Sequence, residues 1–561
     1  MNEKTPPSPA PSTSPLRAWL PAVLIFVVAL LVRLIAYAQM RAWPLLERAE
    51  LLADTRYYDM MARQVAGGDL IGNHPYFLSP LYYYALGIAY AIFGPGVATA
   101  LILQCVMGAL TCVLAFAIAR KIFDETTGWI AGAFFALYGF FVFQNLMLLP
   151  DTLILFLNLL AAWVLIDLEK RLSWRRALLG GALIGLAAVA RANALLLIPA
   201  VAALIAWIHE RGHASGRDRR AWVRACVALV AGCVLVIAPF TIRNIVVSHE
   251  FVLLTTTGGR NFYKGNGPEA NGTHAFMDKD ETGQGLNLYL TGKVDAHEAI
   301  ADSKELTAQT WSYIARHPGR TIGLFIKKLG LFFHARELGI RDQFYFAQQY
   351  SWMLRILPVA FAWIAPVGLI GLWTALRTRR GRTLAVFLLV QVASFVALFV
   401  LGRYRMVAAG ILAIFAAHQL LIWARQIRAR QTRALLMSAG ALIVLLVLVN
   451  RPLSEFPRDE GFGDQYAALG IHYFEKRDCA NALPADEKAL ASPWLEQPFL
   501  EGVRNQARYR VAFCRLQMGR TSEAQAMLTD LRERLARDPS SDPTLKDAAE
   551  RLASVIEKGG R

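Results

Sequence analysis

Charge is scarce in this sequence. Of 561 residues only 18% are charged while 55% are hydrophobic, whereas soluble globular chains run at about a quarter charged and about half apolar. A soluble globular protein is excluded, and the chain belongs in a bilayer. Acidic residues are the scarcer sign, 42 against 59 lysines and arginines, which leaves a net charge of +17. The arginines fall in short clusters between apolar runs, where they orient membrane spans, so nucleic acid is excluded as a partner. Cysteine is also rare, at six residues. Cys105, Cys112, Cys226 and Cys233 lie in apolar runs without metal-ligand spacing, which makes them packing residues and assigns no metal site. A cleaved leader is not expected either. Ala36-Tyr37-Ala38 resembles a cleavage site, but Arg33 interrupts the first apolar run and many more runs follow, as in a retained first helix.

Apolar runs long enough to cross about 30 Å of hydrocarbon at about 1.5 Å per residue occur near 19–38, 97–119, 129–148, 152–168, 222–240, 354–376, 383–401, 404–423 and 434–450. Arginine-rich segments lie at 171–176, 211–224, 377–382 and 425–433, and the positive-inside rule places all of them in the cytoplasm. Any two must then be separated by an even number of crossings. The stretch 177–208 therefore crosses twice, in arms of roughly 15 residues that reach about 22 Å each. Its turn at Arg191-Ala192-Asn193 is sunk below the surface and needs a polar lining. The same parity makes 322–333, with Lys327-Lys328 in its middle, an amphipathic helix in the interface. The short tyrosine-rich run 80–93 is taken as interfacial too.

The sequence thus predicts an all-α fold. A disordered Pro/Ser-rich tail over 1–15 precedes a polytopic domain over 16–450 with about eleven spans and its N-terminus in the cytoplasm. The first loop with its interfacial helices (39–96), the Pro150-Asp151 junction, the segment 241–351 and the Arg403-Tyr404-Arg405 junction all face outward.

Residues 451–561 turn polar. Tyr466-x-x-Leu469-Gly470-x-x-Tyr473, followed by Ala480, Ala482, Ala485 and Ala489, matches a tetratricopeptide start. A second unit runs through Tyr509, Ala512, Phe513, Leu516, Gly519, Glu523-Ala524 and Leu528. Two units bury little core, so this domain should lean on the membrane domain, on a last helix over 542–556, or on a partner protein. A plain helical hairpin bundle is the alternative. Cys479 and Cys514 fall at neighbouring helix ends, where a disulfide can form if the domain is outside.

Ionisable groups at the edge of a membrane domain are costly unless they serve a site. Asp54, in Asp54-Thr55-Arg56-Tyr57-Tyr58-Asp59, and Asp151, after Pro150, both read as helix caps, yet parity puts them on one side. An outward carboxylate can take a proton from a nucleophile while cations hold a phosphate. Candidate cations are Arg191, Arg243, Arg260, Lys264, Arg403 and Arg405, each of which can equally anchor a helix end in headgroups. The run Thr257-Gly258-Gly259-Arg260-Asn261-Phe262-Tyr263-Lys264-Gly265-Asn266-Gly267 reads as a loop whose glycines let a ligand approach and whose aromatics can stack on a sugar.

In their order along the chain these features resemble the GT-C membrane glycosyltransferases, particularly the branch with aminoarabinose transferases and protein O-mannosyltransferases. The resemblance covers the chain to about Asn450. It rests on the Arg33 span, Asp54-x-x-Tyr57-Tyr58 with Gly67-Gly68, Ser79-Pro80-Leu81-Tyr82-Tyr83, Asp151, Arg191-Ala192-Asn193, Arg243-Asn244, the Asn261 to Asn266 stretch and Arg403-Tyr404-Arg405. It implies a polyprenyl-phosphate-linked sugar donor and an acceptor lipid, glycan or protein on the outer face of a bacterial inner membrane. Asp54 is then the base and Asp151 a second carboxylate that orients the acceptor or binds a cation. The resemblance also implies that Tyr57, Tyr58, Arg191, Arg243, Asn244, Arg260, Asn261, Lys264, Asn266, Arg403, Tyr404 and Arg405 contact substrate. Metal use varies in such enzymes, so no divalent cation is assigned. Aminoarabinose transferases carry a lysine before the first-loop proline pair, where this chain has Leu78-Ser79-Pro80-Leu81, which argues against aminoarabinose as donor. A transporter of lipid-linked sugars and a membrane scaffold presenting the repeat units are the other two readings.

Overall fold

A computed structural model describes residues 15–46, 53–169, 172–211, 219–273, 296–339, 343–452, 462–496, 500–537 and 542–558. The tail expected at the N-terminus lies outside them. Among the described residues every regular element is helical, and the one extended pairing is the isolated bridge between Tyr138 and Val359.

The chain opens with α1 (Pro15–Met40), then the short α2 (Ala53–Ala66) and α3 (Pro80–Phe93), α4 (Val97–Ile122), α5 (Glu125–Leu137), α6 (Gly139–Gln144) and α7 (Asp151–Leu165). In α1, Ile25, Ala29, Arg33, Ala36 and Met40 recur at steps of three and four residues and are buried. Trp19, Val23, Val27, Leu31 and Ile35 are exposed on the other side. A helix apolar all round, with one face against protein, turns the other toward hydrocarbon. The split between α5 and α6 falls at Tyr138, whose extended backbone bridges to Val359.

Next come α8 (Trp174–Ala190), α9 (Leu197–Arg211), α10 (Arg219–Ser248), α11 (Gly258–Asn266), α12 (Ala296–Arg316) and α13 (Pro318–Phe332). The short α14 (Gln343–Ala347) and α15 (Trp352–Ile356) lead into α16 (Phe361–Ala375), α17 (Arg379–Ala397), α18 (Met406–Arg428) and α19 (Thr432–Val449). Among the described residues seven helices, α1, α4, α7, α10, α17, α18 and α19, are long and apolar enough to cross a membrane. The α5–α6 pair, α8, α9 and α16 are shorter and occupy the remaining positions expected to cross. The chain is a multi-pass membrane protein.

Glycines set how α8 and α10 run. A Cβ on Gly181 would lie 1.9 Å from the Leu229 carbonyl, and one on Gly185 would meet the Cys233 carbonyl and Val236 at 3.0 Å. From the other side, Gly232 faces the Leu178 carbonyl and Ala182. Later residues of one helix meet later residues of the other, so the two are parallel and packed at backbone distance, as small residues four apart permit. The intervening α9 must return. The Arg175-Arg176 start of α8 therefore lies at the same end as the Arg220 start of α10.

That end is tied by charge. Asp167 pairs with Lys121 at 2.9 Å, Arg380 at 3.1 Å and Arg176 at 3.6 Å, and Asp124 pairs with Arg425 at 2.8 Å. The arginine-rich segments before α8 and α17 and after α18 thus gather together, while Asp54, Asp151, Arg191 and Arg403 occupy the opposite end.

The C-terminal part forms two helical hairpins, α20 (Gly463–Glu475) with α21 (Cys479–Leu490) and α22 (Glu501–Gln517) with α23 (Thr521–Arg537), followed by α24 (Pro543–Glu557). Cys479 and Cys514 form a disulfide between α21 and α22. This part docks on the membrane domain. Phe346 of α14, fully buried, packs on Phe462 and Tyr466 at ring distances of 5.3 Å and on Trp43 at 6.3 Å. Trp43 follows α1, and Gln39 of α1 accepts hydrogen bonds from Ser351 and Met353. The docked hairpins therefore sit at the end of the bundle where α1 leads into the Asp54 loop.

Candidate active site

Asp54 is the second residue of α2, in a first turn where free amides favour a carboxylate. Its side chain remains 40% exposed and receives the Arg403 guanidinium at 2.9 Å. Arg403 lies on a 3₁₀ turn, Arg403–Arg405, between α17 and α18. Asp151 opens α7, is 1% exposed, and takes Arg191 at 2.6 Å. Arg191 stands at the break between α8 and the turn Ala192–Leu196.

The two acid–arginine pairs share an aromatic wall. The Arg191 guanidinium lies 4.4 Å from the Tyr404 ring centroid and that of Arg403 lies 5.1 Å from it. Tyr404 is stacked on Phe395 at 5.2 Å and backed by Phe399. Tyr58 closes the group. Burial holds its phenol well above the ordinary value, the Asp54 charge adds to this, and Arg403 and Arg191 pull the other way. All three charged groups therefore act on one phenol. Tyr58 packs edge-on against Tyr82 at 5.1 Å and Tyr57 at 5.8 Å.

Side chains from α7 and α17 line the Arg191 turn. The Asn193 amide donates to Ser394 at 3.0 Å and to Gln391 at 3.4 Å, and Gln391 donates to Asn158. Asn158, Gln391 and Ser394, polar residues inside apolar runs, were signals in their own right that the sequence reading passed over. One oxygen in the pocket is left over, since Oδ2 of Asp151 is buried without a hydrogen-bond partner.

Other candidates sit elsewhere. Arg243 donates to the carbonyls of Ile71 and His74 and lies 4.3 Å over the Tyr76 ring, while Asn244 accepts from the Tyr76 amide and donates to Val252 and Leu254. Together they clamp the first loop onto the end of α10. Tyr57 lies toward this clamp. Burial pushes its phenol up to about 12, against hydrogen bonds with the backbone of Leu78 and Phe77.

The Gly-rich stretch expected as a loop is instead the helix α11. A Cβ on Gly259 would collide with the Ser303 carbonyl at 1.8 Å and one on Gly265 with the Leu398 carbonyl at 2.3 Å, so glycine serves helix contacts there. On it, Arg260 pairs with Asp302 at 2.8 Å, Asn261 is half-buried, Lys264 is buried, and Asn266 donates to the Ala397 carbonyl.

Arg405 turns away from the pocket. Fully buried, it donates to the carbonyls of Phe332, His334 and Arg336 and to Glu337 at 2.9 Å, and Tyr138 donates to the other Glu337 oxygen at 2.5 Å. The backbone after α13 is thereby fastened to the turn that carries Arg403.

Lys328 of α13 was expected in the middle of an interfacial helix. It is fully buried and donates to the Asn266 side chain at 2.8 Å, and burial lowers it from its ordinary 10.5 to about 7. The unfolded chain then binds more protons, so stability climbs as pH rises between these two values and is level below about 7. Lys328→Met should remove that slope, on the order of 4 kcal/mol across the window, in thermal unfolding of the detergent-solubilised protein from pH 7 to 10.

A divalent cation would find two carboxylates each already held by an arginine. Among the described residues no group of three or more His, Cys, Asp or Glu side chains stands ready to hold a metal. The donor set does not fit a cation site.

Comparison with known proteins gives three results. No curated protein matches the chain. Similar solved structures include the archaeal oligosaccharyltransferase AglB from Archaeoglobus fulgidus, in complex with an inhibitory peptide and a dolichol-phosphate. It is 14% identical, with 84% of this chain and 60% of that one covered and a TM-score of 0.43, so this chain spans about three fifths of it. ArnT from Cupriavidus metallidurans, bound to undecaprenyl phosphate, is 13% identical, with 97% and 76% covered and a TM-score of 0.41. Likenesses this slight carry no argument. The third result is a match of residues 73–240 to the family described as dolichyl-phosphate-mannose-protein mannosyltransferase. That stretch holds α3, Asp151, Arg191 and most of α10, and over it the resemblance to membrane glycosyltransferases read from the sequence is borne out.

Proposed function

We propose that the protein transfers a sugar from a polyprenyl-phosphate carrier to an acceptor on the extracytoplasmic face of a bacterial inner membrane. The observation that carries this reading is the pair of acid–arginine contacts, Asp54 with Arg403 and Asp151 with Arg191, around Tyr404. Charge supports the face, because the arginine-rich segments lie at the other end and such segments favour the cytoplasm. A disulfide in the docked hairpins also suits an oxidising compartment.

The donor phosphate competes with the carboxylates for the two guanidiniums, which bind phosphate in a planar fork. As Arg403 moves to the phosphate, Asp54 is released. Its carboxylate takes the proton of the acceptor nucleophile, whose lone pair forms the new bond to the sugar's anomeric carbon. The bond from that carbon to the phosphate oxygen breaks, and its electron pair leaves on polyprenyl phosphate. Because that leaving group is a stable anion, one base suffices, unlike the two carboxyl groups of ordinary glycoside hydrolysis. Asp151, itself buried, acts through the Arg191 it holds to orient the acceptor. The C-terminal hairpins act as tetratricopeptide-like units that bring an acceptor or partner protein to the pocket.

Proteoliposomes holding the protein and a radiolabelled polyprenyl-phosphate sugar test this reading. Label should pass into a new glycosidic product when envelope extract is supplied as acceptor. Label that crosses the bilayer while still on its carrier would overturn the reading in favour of a translocator.

A further inference from the structure

Beyond the pocket, α12 carries a second stripe of chemistry. Gln309, Ser312, Tyr313 and Arg316 recur at steps of three, one and three residues, which places them on one helical face. With Tyr263 and Pro268 at the end of α11 they line an open groove of about 390 Å³, within the usual ~300–1,000 Å³ of small-ligand sites. Among the described residues no carboxylate lines it. The first half of α12, by contrast, carries His297, Glu298, Asp302, Lys304 and Glu305, the charged surface of an ordinary solvated helix.

The groove is built rather than incidental. Arg320 donates to the Tyr313 hydroxyl at 2.6 Å and to the Pro268 carbonyl, and its guanidinium lies 5.6 Å from the Tyr313 ring, so the ring is held in place. Arg316 donates to Ser312 at 2.5 Å. Beside it Trp311, 60% exposed, packs on Phe262 at 5.1 Å. Both arginines already have polar partners, which argues against a phosphate headgroup as the main occupant. Two tyrosine rings, a proline, an amide and a hydroxyl are what a sugar needs. Flat apolar faces take its C–H surfaces, and neutral donors and acceptors take its hydroxyls.

The groove is also joined to the pocket. Helix α11 meets α12 on one side and the Ala397-Leu398 backbone on another, next to the Phe399 ring that backs Tyr404. We propose that this groove is a carbohydrate subsite that seats a neutral sugar ring of the acceptor while its reacting end lies at Asp54. The acceptor role rests on the glycosyltransferase reading; the binding of sugar does not.

Saturation-transfer NMR on the full-length protein in nanodiscs tests it, with neutral oligosaccharides of gluco, galacto, manno and N-acetylhexosamine units as probes. At least one should give a signal that falls fivefold or more in Tyr313→Ala and in Gln309→Ala. The signal should survive in Tyr313→Phe, which keeps the ring, and in Asp54→Asn, which leaves the groove alone. No signal from any probe, or a signal indifferent to both groove substitutions, overturns the proposal. So does a loss confined to binding of phosphatidylglycerol vesicles, which would make the stripe a membrane anchor. Sugar binding without transfer would sink the proposed reaction and spare the groove, and transfer without sugar binding would do the reverse.

Discussion

Exchange of Asp54 for asparagine should lower sugar transfer by about 10²–10⁴-fold, the range that a positioned general base contributes. Folding and insertion should be untouched. The side chain is 40% exposed, and an asparagine oxygen can still accept from Arg403. The pair is half-buried, with Arg403 15% exposed, and because the asparagine oxygen keeps the hydrogen bond to that guanidinium, unfolding temperature should change little. The check is transfer rate in proteoliposomes beside thermal stability of the same preparation. If the variant keeps wild-type transfer, Asp54 is not the base; if it loses stability, the role is structural.

The second large effect belongs to Arg405, two residues from Arg403 and of opposite character. Arg405→Ala leaves Glu337 buried without its cation, and three carbonyls lose their donor. Removal of one partner from a buried ion pair costs about 3–5 kcal/mol. That is a large share of the ~5–15 kcal/mol that holds a domain folded, so the variant should show a sharply lower thermal midpoint and poor recovery from membranes. Arg403→Ala should show neither, and should instead lose donor binding. If the two variants behaved alike, the separation between a brace and a ligand would be wrong.

That separation could not be read from the sequence, where Arg403-Tyr404-Arg405 is a single motif. On a 3₁₀ turn, residues two apart point to different sides, and only the fold shows which side holds Asp54 and which holds Glu337. The double arm of α8 and α9 was legible because charge parity demands it, and the parallel packing of α8 on α10 through Gly181, Gly185 and Gly232 supplies its geometry. Asp54 and Asp151 were legible as residues on a shared face because helix starts and span edges leave marks in sequence.

The Gly-rich stretch before Gly267 misled for a physical reason. Glycine disfavours helix by about 1 kcal/mol per residue, yet at Gly259 and Gly265 neighbouring backbones approach so closely that no other residue fits, and packing overrides propensity. Lys328 misled likewise. A lysine in an amphipathic helix normally snorkels to water, but here Asn266 draws it inward, a contact between residues far apart in the chain.

The account turns on where the carrier's phosphate binds. A cryo-EM structure of the protein with undecaprenyl phosphate gives the most direct test. The phosphate should lie against Arg403 and Arg191 beside Tyr404, with Asp54 no longer paired to Arg403. A phosphate held at Arg243 or Arg260, with both acid–arginine pairs intact, would contradict the account.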